Sequence, residues 1–155
     1  MQETIGARKP IEILVVDDNP GDIFLIVRAL RGAKVPINAS VSADGDEALA
    51  FLRQAAPFRD APRIDIVLLD LNMPRKSGHD VLTEMRCDPK LKLIPVLILT
   101  SSDSEEDVVR SYNLHANAHI VKPSNLEQLG SMVHDIENFW LRWAQLPTAL
   151  LLYSA

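Results

Sequence analysis

The order of elements constrains this chain most: short apolar runs alternate with amphipathic stretches along nearly its whole length. Ile11–Val16, Ile64–Leu69, Ile94–Leu99 and Ala118–Val121 are compact and rich in β-branched residues and Leu, as strands buried on both faces should be. Ile37–Val41 alternates with Asn38 and Ser40, the pattern of an edge strand. Between the runs lie helical patterns. Ile23, Ile26, Val27 and Leu30 share one face of a first helix, opened by Asn19 with Pro20 at its first position and closed by Gly32. Asp44 with Glu47, Ser77, Ser102 with Glu105, and Ser124 with Glu127 mark four further starts, and the Glu three residues on is capping-box spacing. Five βα units in series predict an α/β fold, a parallel sheet wound on both faces by helices, because right-handed crossovers leave few alternatives. The stretch Ala55–Arg63, with Pro57 and Pro62, reads as a surface loop.

Composition removes several function classes. At 155 residues with 47% hydrophobic side chains, the chain is the size of one domain with a proper core. Its apolar runs fall far short of the ~18 residues needed to span a bilayer, and its beginning is unlike a signal peptide. A lone Cys87 excludes an internal disulfide framework and fits a reducing cytoplasm. With 21 acidic against 16 scattered basic residues, the basic footprint of a nucleic-acid binder is missing.

Sheets of this kind bind ligands outside the carboxyl ends of their strands. The residues there are Asp17 and Asp18 after the first run, Asp70 after the third, Thr100 after the fourth and Lys122 after the fifth. Singly, each has a bland reading as a turn former, strand end or solvated charge. Together they converge on one edge. Carboxylates gathered in one crevice repel by about 4 kcal/mol per close pair at a surface-like dielectric, a cost that a hard divalent cation such as Mg²⁺ relieves. Carboxylates, a divalent cation, a lysine and a hydroxyl together suit phosphoryl transfer, with an aspartate as nucleophile. Asp70 ends the most apolar strand and precedes an open loop, which makes it the candidate nucleophile. Asp18 and Asp17 would hold the metal, and Lys122 and Thr100 the phosphate oxygens.

Asp17-Asp18-Asn19-Pro20, Asp70-Leu71-Asn72-Met73-Pro74 with Gly78, Thr100-Ser101-Ser102 and Lys122-Pro123 together resemble the signature set of response-regulator receiver domains of two-component signalling. The likeness covers about residues 10–142. It implies a five-stranded parallel sheet of flavodoxin-like order 2-1-3-4-5, and a phosphoryl group accepted on Asp70 from a histidine kinase. It also implies Mg²⁺ held by Asp17, Asp18, Asp70 and the backbone carbonyl of Asn72, phosphate contacts from Thr100 and Lys122, and a cis peptide before Pro123. Where receivers often carry an aromatic switch partner for the threonine, this chain has His119. That residue reads either as a switch open to pH or as a partly buried strand residue. Asn72 and Ser102 occupy positions that tune phosphate lifetime.

The last helix places Leu126, Leu129, Val133, Ile136, Trp140 and Trp143 at three- to four-residue steps, and Met132, Phe139 and Leu141 widen that stripe. An apolar end comes next, Leu146-Pro147-Thr148-Ala149-Leu150-Leu151-Leu152-Tyr153. It either folds back or meets a second subunit, with Phe139, Trp140, Trp143, Leu146 and Leu150 as the expected dimer contacts. The expected layout is an N-terminal arm over 1–9, the receiver over 10–143 and the tail over 144–155. After the fifth helix there is no room for a DNA-binding helix-turn-helix, so output is expected through the receiver surface. Asn138-Phe139-Trp140-Leu141 and Tyr112-Asn113-Leu114-His115-Ala116-Asn117 resemble the small regulators that partner phytochrome kinases, which implies such a kinase as donor and a homodimer. Three competing readings are a phosphatase with an aspartyl nucleophile, a flavin carrier and a phosphorylation-independent binding module. Asn72 two residues after Asp70 removes the acid a phosphatase needs, and Asp17-Asp18 would repel a flavin phosphate.

Overall fold

The computed structural model describes residues 9–147. Its five strands are β1 (Ile11–Val16), β2 (Ile37–Ser42), β3 (Ile66–Leu69), β4 (Val96–Thr100) and β5 (Ala118–Val121). All pair in parallel, in the order β2-β1-β3-β4-β5, so the expected architecture is the observed one and β2 is indeed an edge. The five helices are α1 (Pro20–Arg31), α2 (Gly45–Leu52), α3 (Gly78–Cys87), α4 (Glu105–Asn113) and α5 (Leu126–Ile136).

Alternate strand residues feed two cores. Leu14, Val16, Val67, Leu69, Val96 and Ile98 pack with Leu49, Val81, Leu82 and Met85 under α2 and α3. Ile13, Val15, Ile66, Leu68, Leu97 and Leu99 pack with Ile26, Leu30, Leu129 and Val133 under α1 and α5. The two-residue period of a strand thus serves both faces of the sheet at once.

Helix starts follow side-chain capping, with two corrections to the sequence reading. Asn19, Asp44 and Ser77 cap α1, α2 and α3 as expected, and Ser77 with Asp80 completes a capping box. The cap of α4 is Ser104 rather than Ser102, accepting from the Asp107 N–H at 3.2 Å, while the Ser102 hydroxyl donates to the Asp107 carboxylate. The cap of α5 is Asn125 rather than Ser124, accepting from the Glu127 N–H at 2.8 Å.

The steady helical step of the last helix also fails. After Ile136 the chain widens into a π-helix over Glu137–Trp143. A π turn adds one residue to the repeat. Trp140 still packs partly against the α1–α5 core, but the next buried apolar side chain falls at Leu141, five residues after Ile136, and Trp143 is 72% exposed instead of facing the core.

Candidate functional site

Main-chain hydrogen bonds carry the strand ends to one edge. The Asp17 N–H donates to the Ser42 carbonyl at 3.1 Å, the Asp70 N–H to Val16 at 2.9 Å and the Lys122 N–H to Thr100 at 2.7 Å. Each site residue is thereby tied to a neighbouring strand, whatever its side chain does. Behind Asp70 sits Gly78, the first residue of α3. A Cβ there would lie 2.2 Å from the Asp70 carbonyl oxygen and 2.8 Å from Leu71 Cα, so only glycine lets α3 approach so closely.

Carboxylate oxygens of Asp17, Asp18 and Asp70 all lie within 4.8 Å of one another. Asp17 and Asp70 are buried and Asp18 is exposed, giving the cluster one open side. Lys122, its side chain only 7% exposed, reaches inward to Asp17 at 2.6 Å, Asp22 at 3.0 Å and Asp70 at 3.4 Å. Asp22, in the first turn of α1, is a site residue that sequence reasoning missed, because only the residues at strand ends were considered. Its helical position three residues after the cap was the available signal.

Burial pushes the Asp17 carboxyl above its usual range and the Asp70 charge adds to this, against hydrogen bonds from Lys122 and the Asn19 N–H. Burial alone would lower the Lys122 ammonium. Its bonds to Asp17 and Asp22 and the charge of Asp70 outweigh that, and its pKa stands above the ordinary lysine value. One ammonium reaches three carboxylates and Asp18 adds a fourth to the cluster, so negative charge remains in excess. An all-oxygen donor set with an open side fits a hard divalent cation.

Thr100 is fully buried beside this cluster and accepts from Asn72 Nδ2 at 3.4 Å and from the Ser102 N–H at 3.3 Å. Both bonds use its oxygen as acceptor, which leaves its own proton for another partner. Asn72 is exposed; its N–H donates to Asp70 Oδ1 at 3.3 Å, and among the described residues no backbone donor takes up its carbonyl. His119 is half-buried on β5, its ring facing α4 and the β4–α4 loop rather than the carboxylates.

One expectation is corrected. The peptide before Pro123 is trans, and the cis bond among the described residues is Ala56–Pro57. An X–Pro bond favours trans by roughly 0.5–1 kcal/mol unless its surroundings select otherwise, and from the trans form Lys122 already reaches its three carboxylates. Of the expected dimer contacts, Phe139 and Trp143 are exposed, Trp140 and Leu146 are half-buried against the α1–α5 core, and Leu150 lies outside the described residues. Among those residues no helix is long and apolar enough to cross a membrane.

The sheet order, the three clustered aspartates and the inward lysine define an α/β domain with an acidic, cation-fitting site at the carboxyl edge of its parallel sheet. The response regulator receiver domain family matches residues 13–134, and the chain belongs to that family. It is 42% identical to response regulator Rcp1 of Synechocystis sp. over 140 residues, 90% of this chain and 95% of Rcp1. It is 36% identical to the probable methanogenesis regulatory protein FilR2 of Methanothrix harundinacea, over 94% of this chain and 93% of FilR2. Among solved structures, the phosphorylated cyanobacterial phytochrome response regulator RcpA matches with a TM-score of 0.88 and 46% identity, covering 90% of this chain and 100% of RcpA. The Mn(2+)-bound form of Rcp1 matches with a TM-score of 0.86 over the same 90% of this chain and 100% of its own.

Proposed function

We propose that the chain is a phosphorylation-dependent switch in which Asp70 accepts a phosphoryl group from the phosphohistidine of a sensor histidine kinase. One observation carries this reading: the Asp70 carboxylate has Asp17 and Asp18 oxygens within 4.8 Å and Lys122 Nζ at 3.4 Å. In the transfer an Asp70 oxygen attacks phosphorus, the donor's P–N bond breaks, and the imidazole leaves with a proton. Lys122 pairs with one phosphoryl oxygen, and the unspent Thr100 proton goes to another. Mg²⁺, held by Asp17, Asp18, Asp70 and the Asn72 carbonyl, would supply the remaining positive charge around the phosphoryl oxygens. The Mn(2+)-bound form of Rcp1 supports a divalent cation in this role.

Thr100 and His119 form the switch pair, with imidazole in place of the aromatic. The protein is a signalling phosphoacceptor rather than a turnover enzyme, since Asn72 supplies no general acid two residues after Asp70. The likeness to RcpA and Rcp1 supports a phytochrome-type kinase as donor, and so a cytoplasmic place of action. The body of the receiver runs over 10–143, between an arm over 1–9 and a tail over 144–155. A homodimer through the last helix and tail is supported by the exposure of Phe139 and Trp143.

Incubation with a phytochrome histidine kinase and radiolabelled ATP should label the wild type and leave Asp70→Asn unlabelled. Light scattering of both forms then reads the subunit number. Label that persists in Asp70→Asn, with the adduct mapped elsewhere, overturns the reading.

A further inference from the structure

A buried serine joins two histidines that the phosphoryl chemistry does not use. Ser111, on α4, is 0% exposed. Its Oγ lies 3.0 Å from His79 Nε2 on α3, 2.9 Å from His119 Nδ1 on β5 and 2.8 Å from the Asp107 carbonyl oxygen. His119 Nε2 lies 3.1 Å from the carbonyl oxygen of Ser102, whose own N–H donates to Thr100. A continuous path of hydrogen bonds therefore runs from α3 to the phosphoacceptor pocket.

The protons along it can be counted. A carbonyl only accepts, so His119 carries a hydrogen on Nε2. With the ring neutral, Nδ1 is bare, and Ser111 donates its single proton there. With a second proton on the ring, Nδ1–H donates to Ser111, and the hydroxyl turns to the Asp107 carbonyl. In both states His79 Nε2–H donates to the Ser111 oxygen. One hydroxyl rotation thus accommodates a solvent proton on His119 with no heavy atom displaced.

Charged and titratable groups of both signs surround the two histidines, and the carboxylate among them favours this. They are Asp107, Arg110 and Tyr112 of α4 and His79 of α3. The Ser102 hydroxyl holds the Asp107 carboxyl below its usual range, so a carboxylate stands ready to balance an imidazolium. Burial, and then the charge of Arg110, push His79 below the ordinary histidine value, which keeps it the neutral partner.

We propose that Ser111 is a one-proton switch that lets His119 take up a proton in place, and that the charged ring grips the Ser102 carbonyl and with it the Thr100 loop. Charge-assisted hydrogen bonds are about twice as strong as neutral ones. Ser111 and His119 are positioning residues here. The inference rests on Thr100 donating to a phosphoryl oxygen: a phosphoryl group that draws Thr100 from Ser102 works against the grip, and by linkage expels the proton.

Imidazole nitrogen NMR tests the switch without any phosphoryl chemistry. The neutral wild type should show His119 as the Nε2–H tautomer, with the second proton arriving on Nδ1 on acidification. Ser111→Ala should bind that proton about five-fold more weakly, because the charged form loses the stronger bond. Ser111→Cys, a near-isosteric weak donor, serves if the alanine variant does not fold, and should fall between the two. A neutral Nδ1–H tautomer, or an unchanged titration in these variants, overturns the switch. Beryllofluoride binding with Mg²⁺ tests the coupling: on acidification the wild type should lose several-fold more affinity than His119→Gln. Equal losses overturn the coupling. Failure to bind beryllofluoride at any pH counts instead against phosphoacceptance on Asp70, and the NMR titration then decides the switch alone.

Discussion

Helices α3 and α4 lie side by side on one face of the sheet, joined by the His79–Ser111 bond, yet they are held by different forces. α3 buries Val81, Leu82 and Met85 completely, whereas the buried residue of α4 is Ser111. Apolar burial is non-directional and grows with area, at ~25 cal/mol per Å². A hydrogen bond contributes only ~1 kcal/mol net and depends on angle and protonation. α3 is therefore the fixed wall of the site, its Gly78 resting on the Asp70 backbone, and α4 is the wall that can be reset. Local stability is expected to differ between them accordingly.

The largest effect should come from emptying the apolar side. Leu82→Ala removes a fully buried side chain and should cost roughly 2–5 kcal/mol in urea unfolding. Gly78→Ala should cost about 1–3 kcal/mol, and because the new methyl meets Asp70 main chain it should also weaken divalent cation binding by titration calorimetry. A Gly78→Ala protein that binds the cation normally would break the idea that α3 braces Asp70. On the polar side, Ser111→Ala strands the ring nitrogens of two histidines and should cost about 1–2 kcal/mol. Its signature should be lost hydrogen-exchange protection in α4 with α3 unaffected. Equal losses in both helices would erase the contrast drawn between them.

The smallest effect sharpens the same contrast between polar groups with and without partners. Glu137, in the π-helix, is buried with Oε1 unpartnered, and burial raises its carboxyl above the ordinary 4.5, opposed by His134. The fold prefers the protonated form. Stability from this group is therefore whole below the ordinary value and is lost as pH rises through the higher folded one. Glu137→Gln should gain on the order of 1 kcal/mol at neutral pH and nothing in acid, read from thermal unfolding at both.

The parallel α/β architecture and the acidic crevice were legible in the sequence because both depend on short-range rules, whereas the strand order followed only from the family resemblance. β-branched runs end in ionisable residues, and a parallel sheet brings those ends together. Helix starts were legible where one candidate cap stood alone, as with Asn19 and Ser77. They were misread where two polar residues competed: Ser102-x-x-Glu105 and Ser104-x-x-Asp107 share one spacing, but the Ser102 hydroxyl donates to the Asp107 carboxylate while Ser104 takes the Asp107 N–H. Asp22 and Ser111 were missed because their roles come from tertiary approach of helix to strand, which periodicity cannot show. The outward turn of Trp143 had the same origin, since a π turn leaves no mark in a three- to four-residue pattern.

The bonds that align Asp17, Asp70 and Lys122 run through peptide groups, which every amino acid except proline supplies in full. Chemistry anchored in this way is insulated from most exchanges of surface side chains. Duplicated copies of such a gene can recode their outer helices for new conversation partners while inheriting the reactive centre intact. Divergence in whom the molecule addresses and constancy in how it is addressed are thus two results of one backbone pattern.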